Sequence, residues 1–184
     1  MGPPWRIEKE GRINMKQNYT SAATSINKDK LPAVYNRFDF SADHVILDYG
    51  CGRYTDHIRA ALYPSFYFPY DPYNQPQSRN LASTRAISAA IQAGKPVTVI
   101  CSNVLNVIDG DAEIKSILVN ICSIVRRSHG RAYITVYEGD KSGQGRQTGP
   151  DQWQRNQRTR DYMQFIPDGM SSRIRKNTII IEEA

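Results

Sequence analysis

No stretch of this chain approaches the roughly 20 consecutive apolar residues that a membrane-spanning helix needs, and the N-terminus lacks the apolar core of a signal peptide. Cysteine and histidine are scarce. Cys51, Cys101 and Cys122 form no C-x-x-C pair and share no ligand spacing with His44, His57 and His129. An odd, scattered set of thiols excludes a disulfide framework, offers no zinc site and fits a reducing compartment, so a cytoplasmic protein without a metal is expected. No internal repeat is visible, which excludes a solenoid.

What is present describes an ordinary globular chain. Hydrophobic residues at 40% and charged residues at 23% of 184 supply one buried core without the charge excess of a disordered protein. A net charge of +6 suits an acidic partner but does not select one. Residues 1–14, MGPPWRIEKEGRIN, mix Pro, Gly and charge without a period, and a second methionine follows at Met15. Codons for Lys9-Glu10-Gly11 can spell a purine-rich ribosome-binding site ahead of it. The expectation is a non-native or disordered segment over 1–14 and a single domain over 15–184.

Strand and helix signals then alternate. Residues 20–36 read as a polar entry with a short helix near Pro32. HVILDYG is a short continuous apolar run, the pattern of a strand buried on both faces. Residues 54–62 look helical, with Ile58 and Leu62 on one face and Pro64 as the stop. Phe66 to Tyr70 read as a second strand, and Pro69 within it argues for the edge of a sheet. Residues 83–93 form an amphipathic helix with Ser83 as cap and Gly94 as stop. Val97 to Cys101 make a third strand. From Asp111 to Arg127, residues Ile114, Ile117, Leu118, Ile121 and Val125 recur at helical spacing. GRAYITVYEGD is a fourth strand, and the closing RIRKNTIIIEEA fits a last strand or hairpin. Alternating strands and helices predict an α/β fold with a mostly parallel, Rossmann-like sheet and flanking helices, with an antiparallel addition at the end.

The chemistry concentrates after the strands. VILDYGCGRYTD ends its strand on Asp48 and turns through Gly50 and Gly52; the second strand ends on Asp71. Glycines let the backbone approach a ligand, the next helix offers free N–H groups, and an acid closing the second strand can accept both hydroxyls of a ribose. A dinucleotide site wants G-x-G-x-x-G, but Thr55 stands where the third glycine belongs. Asp48 inside the turn would also repel a pyrophosphate and suits a cationic ligand, such as the sulfonium and ammonium of S-adenosylmethionine (SAM).

VILDYGCGRYTD, YDPYN and CSNVLNVID together resemble the first, second and fourth motifs of the class I SAM-dependent methyltransferases, over residues 45–137. The forms DYGCGR, DPY and NVLNVI are also similar to small methyltransferases known from phages and from DNA phosphorothioation gene neighbourhoods, which implies a phage or bacterial setting. The resemblance implies that Asp48, Gly50 and Gly52 hold the methionine portion of SAM, with Cys51 as a small filler between the glycines. It places Asp71 on the ribose, Pro72 and Tyr73 near the adenine, and Ser102, Asn103 and Val104 beside the transferable methyl group. Residues 72–96 hold one helix where the family usually has another strand, so the sheet is expected to be a strand short. The loop SNVL lacks the Asp/Asn-Pro-Pro-aromatic tetrad of many base-amino methyltransferases, and no Pro-Cys pair marks cytosine C5 chemistry.

For the acceptor, signals come from the tail and from the ends of the third and fourth strands. Lys141, Arg146, Arg155, Arg158 and Arg160 interleave with Trp153 and Tyr162, a composition suited to phosphates and stacked bases, or equally to a solvated loop and helix with Trp153 anchored in the core. Asn106, Glu138, Arg146 and Trp153 are the candidate substrate-binding residues, and Glu138 and Tyr137 are the nearest groups for orienting or deprotonating an acceptor. No catalytic residue is assigned, because displacement at a methyl carbon needs alignment more than a base. The expected activity is SAM-dependent methyl transfer to an acceptor such as a nucleic acid or nucleotide. The alternative is a SAM-binding sensor or accessory subunit without transfer.

Overall fold

A computed structural model describes residues 18–19, 29–37 and 43–184. The segment 1–14 and much of the polar entry before Pro32 lie outside the described residues. Ala33–Arg37 form a short 3-10 helix.

The chain then runs β1 (Val45–Tyr49), α1 (Asp56–Ala61), β2 (Phe66–Tyr70), α2 (Gln77–Gln92), β3 (Val97–Ser102), α3 (Asp111–Ser128) and β4 (Arg131–Thr135). A small hairpin follows, β5 (Arg146–Gly149) with β6 (Gln152–Gln154), and then β7 (Met170–Arg175) and β8 (Thr178–Glu183). Six strands make one sheet in the order β2-β1-β3-β4-β8-β7. β2, β1, β3 and β4 are parallel neighbours, whereas β8 runs antiparallel to both β4 and β7. The result is a mixed α/β fold with a six-stranded sheet flanked by helices. Within the described residues, no helix is long and apolar enough to cross a membrane.

Alternation along β1 divides the core. Val45, Leu47 and Tyr49 pack with Ile114, Ile117, Leu118, Ile121 and Val125 of α3 and with Ile87 of α2. Ile46 faces the other way, onto Val34, Tyr35, Ile58, Leu62 and Tyr67. All five residues of β1 are buried, so the strand is covered on both faces, as its continuous apolar run required. The helical spacing read in α3 falls wholly inside the larger core cluster. β2 lies at the sheet edge, where Pro69 is tolerated because no further strand needs its missing N–H. Nothing but α2 separates β2 from β3 as a regular element, so the sheet carries no strand beyond β2.

Two expectations are corrected. The helix read from Ser83 begins at Gln77, after Pro76, whose extended backbone forms its N-cap. Ser83 is a buried mid-helix residue whose hydroxyl donates to Pro69 O at 2.6 Å, docking α2 on β2. The polar Gln77-Ser78-Arg79-Asn80 opening hid the true start because it shows no apolar period. In the tail, Arg155 is not a solvated phosphate ligand but a buried anchor. It donates to Ile108 O at 3.3 Å, Asp109 O at 3.1 Å and Gln157 Oε1 at 2.9 Å, and pairs with Asp111. It thereby fastens the β5–β6 hairpin to the loop before α3.

Arg155→Ala is therefore predicted to lower the unfolding free energy by ~2–3 kcal/mol, because it strips charged donors from buried carbonyls. The exposed Arg160→Ala should stay within ~0.5 kcal/mol of wild type in the same urea titration. Equal effects would show that the hairpin is not held through Arg155.

Candidate functional site

The sheet order reverses direction beside β1: the crossover from β1 goes outward to β2 and the next returns to β3. Ligand crevices form at the carboxyl ends of strands at such a point. Here the glycine turn after β1, the end of β2 and the loop after β3 line one cavity of about 860 Å3. That volume is within the ~300–1,000 Å3 of small-molecule sites. Asp48, Gly50, Cys51, Gly52, Asp71, Pro72, Tyr73, Ser102, Asn103 and Val104 all lie in its wall, so the structure brings the whole expected cofactor set together.

The turn is held from three sides. Gly50 N–H donates to Tyr70 O at 2.7 Å, and Cys51 N–H reaches the same carbonyl at 3.3 Å. Gly52 N–H donates to Asp71 Oδ2 at 2.9 Å. Gln75 Nε2 donates to Gly52 O at 2.6 Å. Both glycines have left-handed backbones, with φ of 78° and 73°, and any Cβ at Gly50 would drive into the Val104 side chain. Close approach of the third strand's loop therefore requires glycine there for two separate reasons.

Asp71 has more partners than a bare ribose ligand would. Its carboxylate accepts from Tyr73 N at 2.9 Å, Asn74 N at 2.8 Å, Gly52 N and the Asn74 amide at 3.2–3.3 Å. Asn80 of α2 clamps the Asp71 backbone, accepting from its N–H at 3.0 Å and donating to its carbonyl at 2.9 Å. The first two bonds are the aspartate turn that Asp-Pro-Tyr-Asn encodes locally. The links to Gly52 and Asn80 join three elements and carry no local sequence signal.

Asp48 sits beneath the turn, 4% exposed, accepting from Tyr67 Oη at 2.6 Å. Burial pushes its carboxyl up to about 6, opposed by the Tyr67 and Tyr35 hydroxyls and reinforced slightly by the charge of Asp71. Tyr35 and Tyr67 were not legible in the sequence, since they come from a separate 3-10 helix and from β2 and meet only across the sheet face. Burial and the Asp48 charge likewise push the Cys51 thiol far up, which fits a filler and not a nucleophile.

Beyond β3, Asn103 adopts a left-handed backbone (φ 56°) and donates its N–H to Thr135 O at 2.8 Å, while Ser102 Oγ lies 3.0 Å from Thr135 Oγ1. Asn106 is buried and committed: its side chain accepts from Tyr137 N and donates to Gln154 Oε1, both at 3.3 Å. Arg146 and Trp153 also line the cavity, from the β5–β6 hairpin. The indole of Trp153 is stacked on Tyr19, 5.4 Å between centroids and 15° between planes. Glu138 is not in the cavity wall. It accepts from Thr159 N at 2.7 Å and Thr159 Oγ1 at 2.8 Å and pairs with Lys141 at 3.2 Å, contacts that hold its carboxyl below the usual range. It anchors a 3-10 helix and is poorly suited to be a base. Among the described residues, no three His, Cys, Asp or Glu side chains gather as metal ligands.

Compared with known proteins, the chain matches no family model, no curated protein and no solved structure.

Two measurements follow from this geometry. Gly50→Ala should cost ~2–4 kcal/mol in denaturant unfolding, from the left-handed backbone and the Val104 clash together. Adding Val104→Ala should recover only the steric share; full recovery would deny the backbone constraint. The folded state also holds the Asp48 proton more tightly than the unfolded chain does. Wild type should therefore lose up to ~3 kcal/mol relative to Asp48→Asn as pH rises from ~4 to about 6, and no more above that. Unfolding midpoints of both proteins at pH 4, 5, 6 and 7 would show the trend, and a flat difference would mean Asp48 is not strained by burial.

Proposed function

We propose that this protein binds SAM in the cavity and transfers its methyl group to an acceptor entering past the β5–β6 wall, as a class I methyltransferase in a bacterial or phage cytoplasm. The observation that carries the reading is the placement of the Gly50–Gly52 turn. It lies over the buried Asp48, is bonded to Asp71, and faces a cavity large enough for a nucleoside-sized ligand. Asp48 and Asp71 line that cavity. Two acids at one turn oppose a pyrophosphate and favour a sulfonium or ammonium group. A cation drawn to Asp48 would shift that carboxyl back toward ionisation and relieve part of its burial cost.

In such a site the chain's own residues bind and orient. Asp71 lines the cavity with Oδ2 bonded to the turn, and a ribose hydroxyl would bind there by replacing one of its present donors, the Asn74 amide at 3.2–3.3 Å being the weakest held. Val104, pressed on Gly50, and Asn103 close the floor beside the reacting carbon. SAM, when bound, would supply an electrophilic methyl carbon for in-line displacement, the acceptor's lone pair forming the new bond and the carbon–sulfur pair leaving with sulfur. Holding the reacting atoms within ~3–3.5 Å can supply ~7–11 kcal/mol of the barrier reduction without a base. A second reading, SAM binding without transfer in a sensor or accessory subunit, is favoured by one observation. Glu138, the acid expected to orient or deprotonate an acceptor, is turned to Thr159 and Lys141 instead.

Thermal unfolding with SAM, S-adenosylhomocysteine and NAD tests the proposal. At a hundredfold its dissociation constant a ligand adds ~2.7 kcal/mol, a rise in Tm of roughly 5–10 °C for a chain this size. SAM and its demethylated product are expected to give that rise in wild type and to lose it in Asp71→Ala, with NAD inert. A rise with NAD alone, or with neither adenosyl compound, would sink the reading. Transfer of a labelled methyl group into acceptors then separates enzyme from sensor.

A further inference from the structure

The acceptor wall contains an aromatic ring whose exposure the fold does not explain. Tyr137, two residues past the end of β4, is 64% exposed and lines the cavity. An exposed ring on a wandering loop would mean little. This one is fixed at its backbone: its N–H donates to Asn106 Oδ1 at 3.3 Å and its carbonyl accepts from Gln154 Nε2 at 3.0 Å. Asn106 Nδ2 in turn donates to Gln154 Oε1 at 3.3 Å, closing a triangle between the loop after β3, the end of β4 and β6. Two amide side chains, one of them buried, thus hold the backbone at Tyr137 in place and leave its ring uncovered.

The other aromatic of that wall is already occupied. One face of Trp153 carries Tyr19, and the indole is wedged against Gly145, where a Cβ would not fit. Beside Tyr137 and Trp153, Arg146 lines the same wall and is exposed. Among the described residues it makes no ion pair within 4.0 Å; Asp140, a neighbouring acid on this wall, senses it only at longer range and accepts from Ser142 N at 2.9 Å. The carboxylates Asp48 and Asp71 line the cavity from the ends of β1 and β2, at the glycine turn. A flat, exposed ring on a fixed backbone, sharing a cavity with a guanidinium that is in no ion pair, suits a planar base carrying a phosphate.

We propose that Tyr137 is the stacking platform for a nucleobase, with Arg146 on its phosphate, and that this base is the methyl acceptor. The word acceptor rests on the methyl-transfer reading; the nucleobase site itself does not. The shared chemistry, base plus phosphate, occurs both in a single strand and in a free nucleotide.

Fluorescence polarisation of a labelled 12-nucleotide single strand, with unlabelled mononucleotides as competitors, tests this on the full chain. Tyr137→Ala should weaken binding about 5- to 100-fold, whereas Tyr137→Phe, which keeps the ring, should stay within about threefold of wild type. Arg146→Gln should reduce the slope of log affinity against log salt by about 0.7. Competition by mononucleotides at similar affinity would identify a free nucleotide as the source, and its absence a strand; both support the site. No binding of strand or nucleotide to wild type, or equal binding by Tyr137→Ala, would overturn it. The SAM-induced rise in Tm is read on the same wild-type sample. A rise without nucleobase binding removes only this inference, and nucleobase binding without a rise removes only the methyl-transfer reading.

Discussion

Everything near the cavity depends on one backbone junction, the union of the Gly50–Gly52 turn with the end of β2. Two N–H groups of the turn reach the carbonyl of Tyr70, and a third reaches the Asp71 carboxylate. Because the first glycine has no side chain, Val104 can press onto it from the loop after β3. Three parallel strands thus finish at a common floor. Backbone donors at such a turn must be satisfied within the fold or by a ligand, and here the fold itself uses them. That leaves the side of the turn facing the cavity to be defined by its acids.

Those acids do different work despite lying close together. Asp48 is buried on the face of the sheet that packs against Tyr35 and Tyr67, and burial alone makes its ionised form expensive. Asp71 is surrounded by N–H donors from its own turn and from Gly52, and its backbone is clamped by Asn80. One carboxylate is electrostatically strained and would gain from a cation; the other is an acceptor already supplied with donors. The proposed ligand, SAM, carries positive charge for the first and brings no pyrophosphate to meet the second.

The β5–β6 hairpin completes the cavity from a part of the chain with almost no aliphatic residues. Such a segment cannot hold itself by burial, and it is fixed by polar anchors instead: Arg155 on the carbonyls before α3, Asn106 with Gln154, and Asn156 Nδ2 donating to Gln144 O at 2.9 Å. Polar anchoring positions Arg146, Trp153 and Tyr137 without filling the space between them and the glycine turn.

Strand and helix identities were written in local pattern. β1 as a doubly buried run, β2 as an edge strand through Pro69, and α3 through its apolar spacing all depend on residues within a few positions of one another. So did the glycine turn and the paired acids, because backbone conformation at Gly50 and Gly52 and the aspartate turn at Asp71 are short-range properties. Tertiary structure alone decided the rest. It started α2 at Gln77, turned Arg155 inward, withdrew Glu138 from the cavity and set Tyr35 and Tyr67 around Asp48. It also made Asn106 a tie between three segments. Each of these outcomes depends on which distant carbonyl or carboxylate a polar side chain meets. Hydrogen bonds between residues tens of positions apart leave no period in the chain that encodes them.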